Sequence, residues 1–355
     1  MKNPTRPVFP GAFRQHITLP ADLFDIFCLT VLLSTGLLAS PGTRAQSDNL
    51  PRTAYGYPDL QGTYTFRTIT PLERPPELAG KAVLTPEEAE EWAAYENRRQ
   101  NRDLIIDSVG GAGYPPGVIS YNEFWYERGD DTVADLRTSM IYDPPNGRLP
   151  PMNDAGRARS ARINEMRRLS AGPEARTLND RCVMNARTGP PMVSGSYNNN
   201  MQLVQTRDHV MILSEMIHHA RIIPFADEHS DKPSKWEGDS IAHWEGDTLV
   251  IDTRDYYYWY GWRNTSPAMH VVERFTRVDK NTLDNDFTVE DPETWDRSWS
   301  ARLPMRRIDD PIYEYACHEG NHGLTGILAG WRRYDVLGLN EDGTPIAAVG
   351  SDDEE

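Results

Sequence analysis

The stretch Tyr313-Glu314-Tyr315-Ala316-Cys317-His318-Glu319-Gly320-Asn321-His322 gathers a thiol, two imidazoles, two carboxylates and an amide. His318 is a candidate general base, with Glu319 as the carboxylate that orients its ring or serves as an acid. Neighbours on a strand point to opposite faces, so the two converge only if the chain bends there. The plainer alternative is structural: a disulfide, a helix starting at Asn321, and side chains bonded to loop backbone. Polar groups this dense are unfavourable unless paired. Asn321 is also a candidate ligand contact.

Glu215-Met216-Ile217-His218-His219-Ala220-Arg221 offers a second set. His218 could supply a base, Glu215 an acid, and Arg221 or Arg181 a guanidinium that stabilises developing negative charge. An exposed turn with two incidental histidines is the bland alternative. Zinc needs three or four ligands at recognisable spacing. No paired-cysteine motif occurs, and no metal and no other cofactor is expected. Glu273 and Arg277 share a strand face with Val271 and Phe275. An acid on such a face either pairs with a cation or lines a ligand cavity. Asn199, within Tyr197-Asn198-Asn199-Asn200, can bond a polar ligand or satisfy a tight turn. The aromatic run from Tyr256 to Trp262, centred on Tyr258 and Trp259, can stack on a sugar, cover an apolar ligand or pack on a partner subunit. No Gly-x-Ser-x-Gly elbow, phosphate loop, dinucleotide fingerprint or haem attachment motif is present.

Strands must position most of these groups. Asn199 to Thr206 and His209 to Met216 flank the tight turn Arg207-Asp208, and Arg221 to Phe225 follows a bend. Trp236-Glu237-Gly238-Asp239 and Trp244-Glu245-Gly246-Asp247 repeat at a spacing of eight and mark two turns of a meander. Thr248 to Thr253, His270 to Val278, Leu283 to Glu290 and Tyr313 to Cys317 read as further strands, as do Leu60 to Ile69, Ser120 to Glu127 and Asp135 to Tyr142. Thr85, with Glu88, caps a helix reaching about Leu104. Asp154 caps a second helix whose arginines read as a solvated face, and Asn321 starts a third that stops at Gly338. The expected fold class is mainly β: an antiparallel barrel or sandwich, lipocalin-like among the barrels, with two or three peripheral helices.

The chain has 355 residues and a formal net charge of −16. That charge argues against nucleic acid and against an anionic membrane surface as partners. Lys2, Arg6 and Arg14 precede the apolar run Leu23 to Ala39, and Thr43-Arg44-Ala45 carries small residues where a signal peptidase reads them. Residues 1–45 therefore read as a signal peptide, 46–345 as a single mainly-β domain with helical insertions near 85–104 and 154–170, and 346–355 as an acidic disordered tail. A periplasmic or secreted location follows, with no integral membrane association once the signal is removed. An uncleaved anchor is the alternative, because Asp22 and Asp25 are unusual in a signal. Cys28 would leave with the signal. Cys182 and Cys317 would remain, and two thiols in an oxidising compartment pair, unless they are buried separately.

Several phrases resemble those of a large group of exported bacterial proteins: Thr68 to Pro75, Asp143 to Pro150, Asp180-Arg181-Cys182, Trp244 to Thr253 and Tyr315 to Asn321. The resemblance spans nearly all of the chain beyond the signal. It implies export and a shared fold, and it carries over no catalytic residue.

These observations lead to an exported, cofactor-independent enzyme. It would use histidine–carboxylate acid–base chemistry, as a lyase, isomerase or hydrolase, on a small apolar or sugar-like molecule. A non-catalytic small-ligand-binding protein of the cell envelope is the alternative. A structural envelope protein that assembles as a homo-oligomer through its aromatic run is the third reading.

Overall fold

The computed structural model describes residues 50–104, 122–169, 172–230, 234–257 and 262–339. The expected signal peptide, 1–45, and the expected acidic tail, 346–355, lie outside the described residues. Among the described residues, ten strands make one antiparallel sheet: β1 Gly62–Thr65, β2 Ile141–Asp143, β3 Asn200–Gln205, β4 His209–Ser214, β5 His219–Pro224, β6 Asp239–Glu245, β7 Thr248–Arg254, β8 His270–Arg277, β9 Thr282–Glu290 and β10 Trp299–Ile308. The order is β5-β4-β3-β1-β10-β9-β8-β7-β6, with β2 beside β10. Alternate residues of β3, β4, β8 and β9 are buried, which is the period-2 signal the sequence carries.

The sheet is open, yet it curls on itself. Arg221 of β5 and Glu273 of β8 lie far apart in the strand order and meet at 2.7 Å through buried side chains. The two edge strands touch at one parallel bridge, Phe225 to Ala242, where Ala226 N donates to Ala242 O at 3.3 Å. The enclosed core is aromatic at one end. Trp299 is stacked on Trp262 at 5.6 Å and met edge-on by Phe287 and Trp295.

Among the described residues three α-helices lie outside this core: α1 Pro86–Gln100, α2 Asp154–Leu169 and α3 His322–Leu337. At α1, Thr85 Oγ1 accepts from Glu88 N at 3.2 Å, and the Glu88 carboxylate accepts from Thr85 N at 2.9 Å. The helix ends at Gln100, and a 3-10 turn takes up Arg102–Leu104. The cap of α2 is Asn153, one residue before the expected Asp154; its Oδ1 accepts from Gly156 N at 2.9 Å. Asn321 caps α3, and Gly338 closes it in the left-handed conformation. No residue of α3 is buried. No helix among the described residues is long and apolar enough to cross a membrane.

Three expected strands differ. Glu123–Trp125 is a 3-10 turn, and Ser120 and Tyr121 lie outside the described residues. Of Asp135 to Tyr142, only the last two residues enter β2, while Arg137 makes an isolated bridge to Val83. Tyr313 to Cys317 joins no ladder, because β10 is already flanked by β9 on one side and by β2 and β1 on the other. The last strand is instead β10. Pro304 hides it in the sequence, since proline reads against a central strand. In the fold Pro304 pairs only with β9, in the interval between the residues that pair with β2 and those that pair with β1.

Candidate functional site

The disulfide joins Cys182 to Cys317, as the cysteine count suggests. The Cys182 segment is a tight turn. Asp180 N donates to Thr177 Oγ1 at 3.1 Å, Thr177 N donates to Asp180 Oδ2 at 3.2 Å, and Cys182 takes a positive φ of 56°. Asn321 is consumed here, accepting from Leu324 N and donating from Nδ2 to Asp180 O at 2.9 Å. His318 and Glu319 project from the neighbouring turn into solvent. Both side chains are exposed and no hydrogen bond joins them, so they form no acid–base pair.

The second set is divided between the interior and the surface. Glu215 is buried and accepts from Asn200 Nδ2 at 2.8 Å. Burial, helped by the Glu127 charge, pushes its carboxyl above the usual range. His218 is exposed, and the backbone at Ile217 and His218 has φ of 63° and 52°. Such values strain a β-branched residue like Ile217. His218 N donates to Glu215 O at 3.0 Å, but the ring is exposed while the carboxyl is buried. Arg221 is buried against Glu273, and its Nη2 also approaches Ser240 Oγ at 3.4 Å. Burial pulls the guanidinium pKa down, but the Glu273 carboxylate outweighs that and holds it up. Glu273 thus takes the pairing alternative, with Arg221 and not with Arg274 or Arg277 as partner. Asn199 is fully buried and bonded to backbone, with Gly195 N donating to its Oδ1 at 2.7 Å. It therefore contacts no ligand. Tyr258 and Trp259 lie outside the described residues.

A cluster that the sequence reading missed lies on the outer face of β6, β7 and β8. His229 Nδ1 is 3.2 Å from Asp239 Oδ2, and its Nε2 is 2.8 Å from Asp252 Oδ1. His270 Nε2 is 2.9 Å from Asp252 Oδ2, its Nδ1 is 3.8 Å from Glu290, and Arg254 also donates to Asp252. Ionised carboxylates only accept, so both nitrogens of His229 must carry protons when both bonds are made. Neither nitrogen is then left to take a proton from a substrate, which makes this a clasp and not a catalytic base. Among the described residues no group of three or more His, Cys, Asp and Glu could hold a metal ion.

The clasp sets a pH profile. The Asp252 hydrogen bond raises the His270 pKa above its ordinary value. Burial pushes Asp252 up, but hydrogen bonds from His270 and His229 overcome this and hold it well below the usual carboxylate range. A raised histidine contributes stability that is full below about pH 6.5 and is lost as pH rises through the folded-state value. A depressed aspartate contributes stability that is full above about pH 4 and is lost on further acidification. Thermal midpoints are therefore expected to be highest between about pH 4 and 6.5. His270→Asn should flatten the alkaline limb in a calorimetric pH series; an unchanged alkaline limb would exclude this role.

The most ligand-like concavity is elsewhere. A cleft of about 400 Å³ lies between α2, the 174–186 segment and the Trp262-Arg263 turn. Ile163, Met166 and Arg167 present one face of α2 to it, as their spacing allows. Leu178, Met184 and Trp262 add apolar wall. Four arginines line it (Arg167, Arg176, Arg181 and Arg263) against one glutamate, Glu174. Arg263 is paired with Glu73 at 3.2 Å. Arg167 and Arg181 make no ion pair with a carboxylate among the described residues. Arg181 packs on the Trp236 ring at 5.4 Å, and burial lowers the Arg167 pKa. Of the residues singled out from the sequence, Arg181 and Trp262, the last residue of the aromatic run, line this cleft. Arg167 turns inward, contrary to the expected solvated face of α2.

The fold and site together define an open, curled antiparallel sheet with a cationic, apolar-walled cleft at its periphery. No family model matches the chain, and no curated protein matches it. A solved structure, titled as the crystal structure of a mutant of the fluorescent protein UnaG, is similar over 31% of this chain and 72% of that one, at 13% identity and a TM-score of 0.20. A likeness that slight carries no functional reading.

Proposed function

We propose that this chain is an exported binding protein that holds a small organic anion with an apolar body and does not transform it. One observation carries the reading: two guanidiniums without a carboxylate partner, Arg167 and Arg181, face an apolar-walled cleft in a protein of net charge −16. In so acidic a chain, unpaired arginines at a concave site favour an anionic ligand, and a guanidinium grips a carboxylate or sulfate through two parallel hydrogen bonds. The volume suits a molecule of one or two rings. Export rests on the N-terminal pattern and is in keeping with a disulfide.

The acid–base reading has one observation in its favour, the raised carboxyl of Glu215. Against it, His218 and His318 both point to solvent, and neither lines the cleft.

The test pairs 2-naphthoate with its neutral isostere 2-naphthamide, followed by calorimetry and by Trp262 fluorescence. The anion is expected to bind about 100-fold more tightly, from two charge-assisted contacts. Arg167→Ala with Arg181→Ala should bring the anion down to the level of the amide. Equal affinity for the two probes would refute an anion site, and conversion of a bound anion by the purified protein would favour the enzyme.

A further inference from the structure

A second cleft, of about 520 Å³, adjoins the first, and Leu72 and Ser194 line both. We infer that the ligand extends over this ridge, with its anionic, apolar part in the first cleft and a neutral, hydroxylated part such as a sugar ring in the second. The ligand class is thus a glycoside of an organic acid. This inference rests on the anion-binding reading and deepens it.

The contrast in charge pairing between the clefts carries the inference. In the first, Arg167 and Arg181 lack carboxylate partners. In the second, both arginines are paired. Arg99 makes a two-point contact with Glu96 at 2.8 and 2.6 Å, and Arg128 is held by Glu123 at 2.5 Å. Three glutamates (Glu73, Glu77 and Glu96) stand there against two arginines, so a second anionic group would be repelled. What the surface offers instead is hydroxyl and amide chemistry. Gln100 and Ser196 line it, and Gln100 Nε2 donates to Glu96 Oε2 at 2.7 Å; the Thr68 and Thr70 hydroxyls are taken up by backbone, Thr68 Oγ1 donating to Asp131 O and Thr70 Oγ1 accepting from Val133 N. The side-chain hydroxyls of Ser194 and Ser196 make no hydrogen bond among the described residues, which leaves donors and acceptors on and beside the ridge. A partly exposed hydroxyl and a paired carboxylate suit the alternating donor–acceptor rim of a neutral sugar and gain little from an apolar group.

The ridge itself is firmly held. Ile141 N donates to Leu72 O at 3.0 Å, and Gly195 N donates to Asn199 Oδ1 at 2.7 Å. This gives Asn199 its role: it fixes the Ser194–Ser196 segment between the two clefts and touches no ligand itself. A ligand that spans both clefts meets a preformed surface and loses little affinity to ordering.

The experiment titrates the intact protein with three probes: 4-methoxybenzoate, which fits the first cleft alone; 4-carboxyphenyl β-glucopyranoside, which adds the sugar; and phenyl β-glucopyranoside, which lacks the anion. The carboxyphenyl glucoside is expected to bind at least 10-fold more tightly than methoxybenzoate, with phenyl glucoside the weakest. Ser196→Trp, which fills the second cleft, should abolish that gain and leave methoxybenzoate affinity unchanged. The milder pair Glu77→Ala with Ser196→Ala, which leaves the backbone as it is, should reduce the gain several-fold. Equal binding of the two anions, or a gain that survives Ser196→Trp in a folded protein, would overturn the extension and leave the anion site standing. Failure of both anions to bind would remove the anion site and the extension with it.

Discussion

Glu273→Ala is expected to destabilise the fold by ~3–5 kcal/mol, because it leaves a guanidinium buried without its counter-ion. Arg221 is 2% exposed and Glu273 is fully buried, so no solvent reaches the pair to soften the loss. The residual bonding of Arg221 would be poor. Its Nε and Nη1 already have no hydrogen-bond partner, and its contact with Ser240 Oγ is long at 3.4 Å. Glu273 Oε1 likewise lacks a partner, so the pair is not itself an efficient stabiliser. Arg221→Met with Glu273→Leu, which removes both charges and keeps the volume, should come within about 1–2 kcal/mol of the parent or exceed it. Urea denaturation of the two single variants and the double variant forms the cycle. If Glu273→Ala unfolds at the parental urea concentration, Arg221 is not held in a dry interior and the inward curl of the sheet is misread.

Cys317→Ser should act on the C-terminal segment first. A closed loop of 135 residues contributes about 5 kcal/mol in the chain-entropy account, an upper bound when the segment can detach without global unfolding. Detachment is the expected route here. Among the described residues no strand follows β10, α3 buries none of its residues, and Tyr313 is 71% exposed. Besides the disulfide, the contacts that hold the segment include the Asn321 to Asp180 hydrogen bond at 2.9 Å and Arg176 packed on the Trp331 ring at 5.1 Å. The variant is therefore expected to be cut between β10 and α3 at least 10-fold faster in limited proteolysis, as local opening governs cleavage there. Anion affinity should fall with it, because Asn179 and Arg181 of the cleft sit beside Cys182. Unchanged cleavage in the variant would mean that packing, not the covalent link, holds the segment.

Much of the sheet was legible because burial on one face writes a period of two into the sequence. Val271, Glu273, Phe275 and Arg277 all point inward as that pattern implies. The pattern does not say what lies opposite. Glu273 meets Arg221 across 52 residues, and only the curl of the sheet brings them together. The clasp was illegible for the same reason, since His229, Asp239, Asp252 and His270 come from a connecting segment and three separate strands. Asp252 lies within the Trp244 to Thr253 phrase, which read as a strand and turn with no chemistry of its own. The cleft was harder still. Leu72, Arg167, Arg181, Ser194 and Arg263 belong to five segments, and nothing in local spacing distinguishes an arginine that faces a cleft from one that faces water. The link between Cys182 and Cys317 was legible by counting, but counting could not show that the histidines beside it would face outward.

The single backbone bridge where the end of β5 meets β6 has a consequence for assembly. Apart from that bridge, neither strand ladders on its outward side, so each presents a margin of backbone donors and acceptors. Such margins are templates for strand addition by another chain, and Ile222, 65% exposed on β5, offers the apolar foothold. The segment carrying His229 crosses from one margin to the other and is bonded down at Asp239 and Asp252. A strap pinned beside both margins hinders strand addition by another chain, an office unrelated to any ligand.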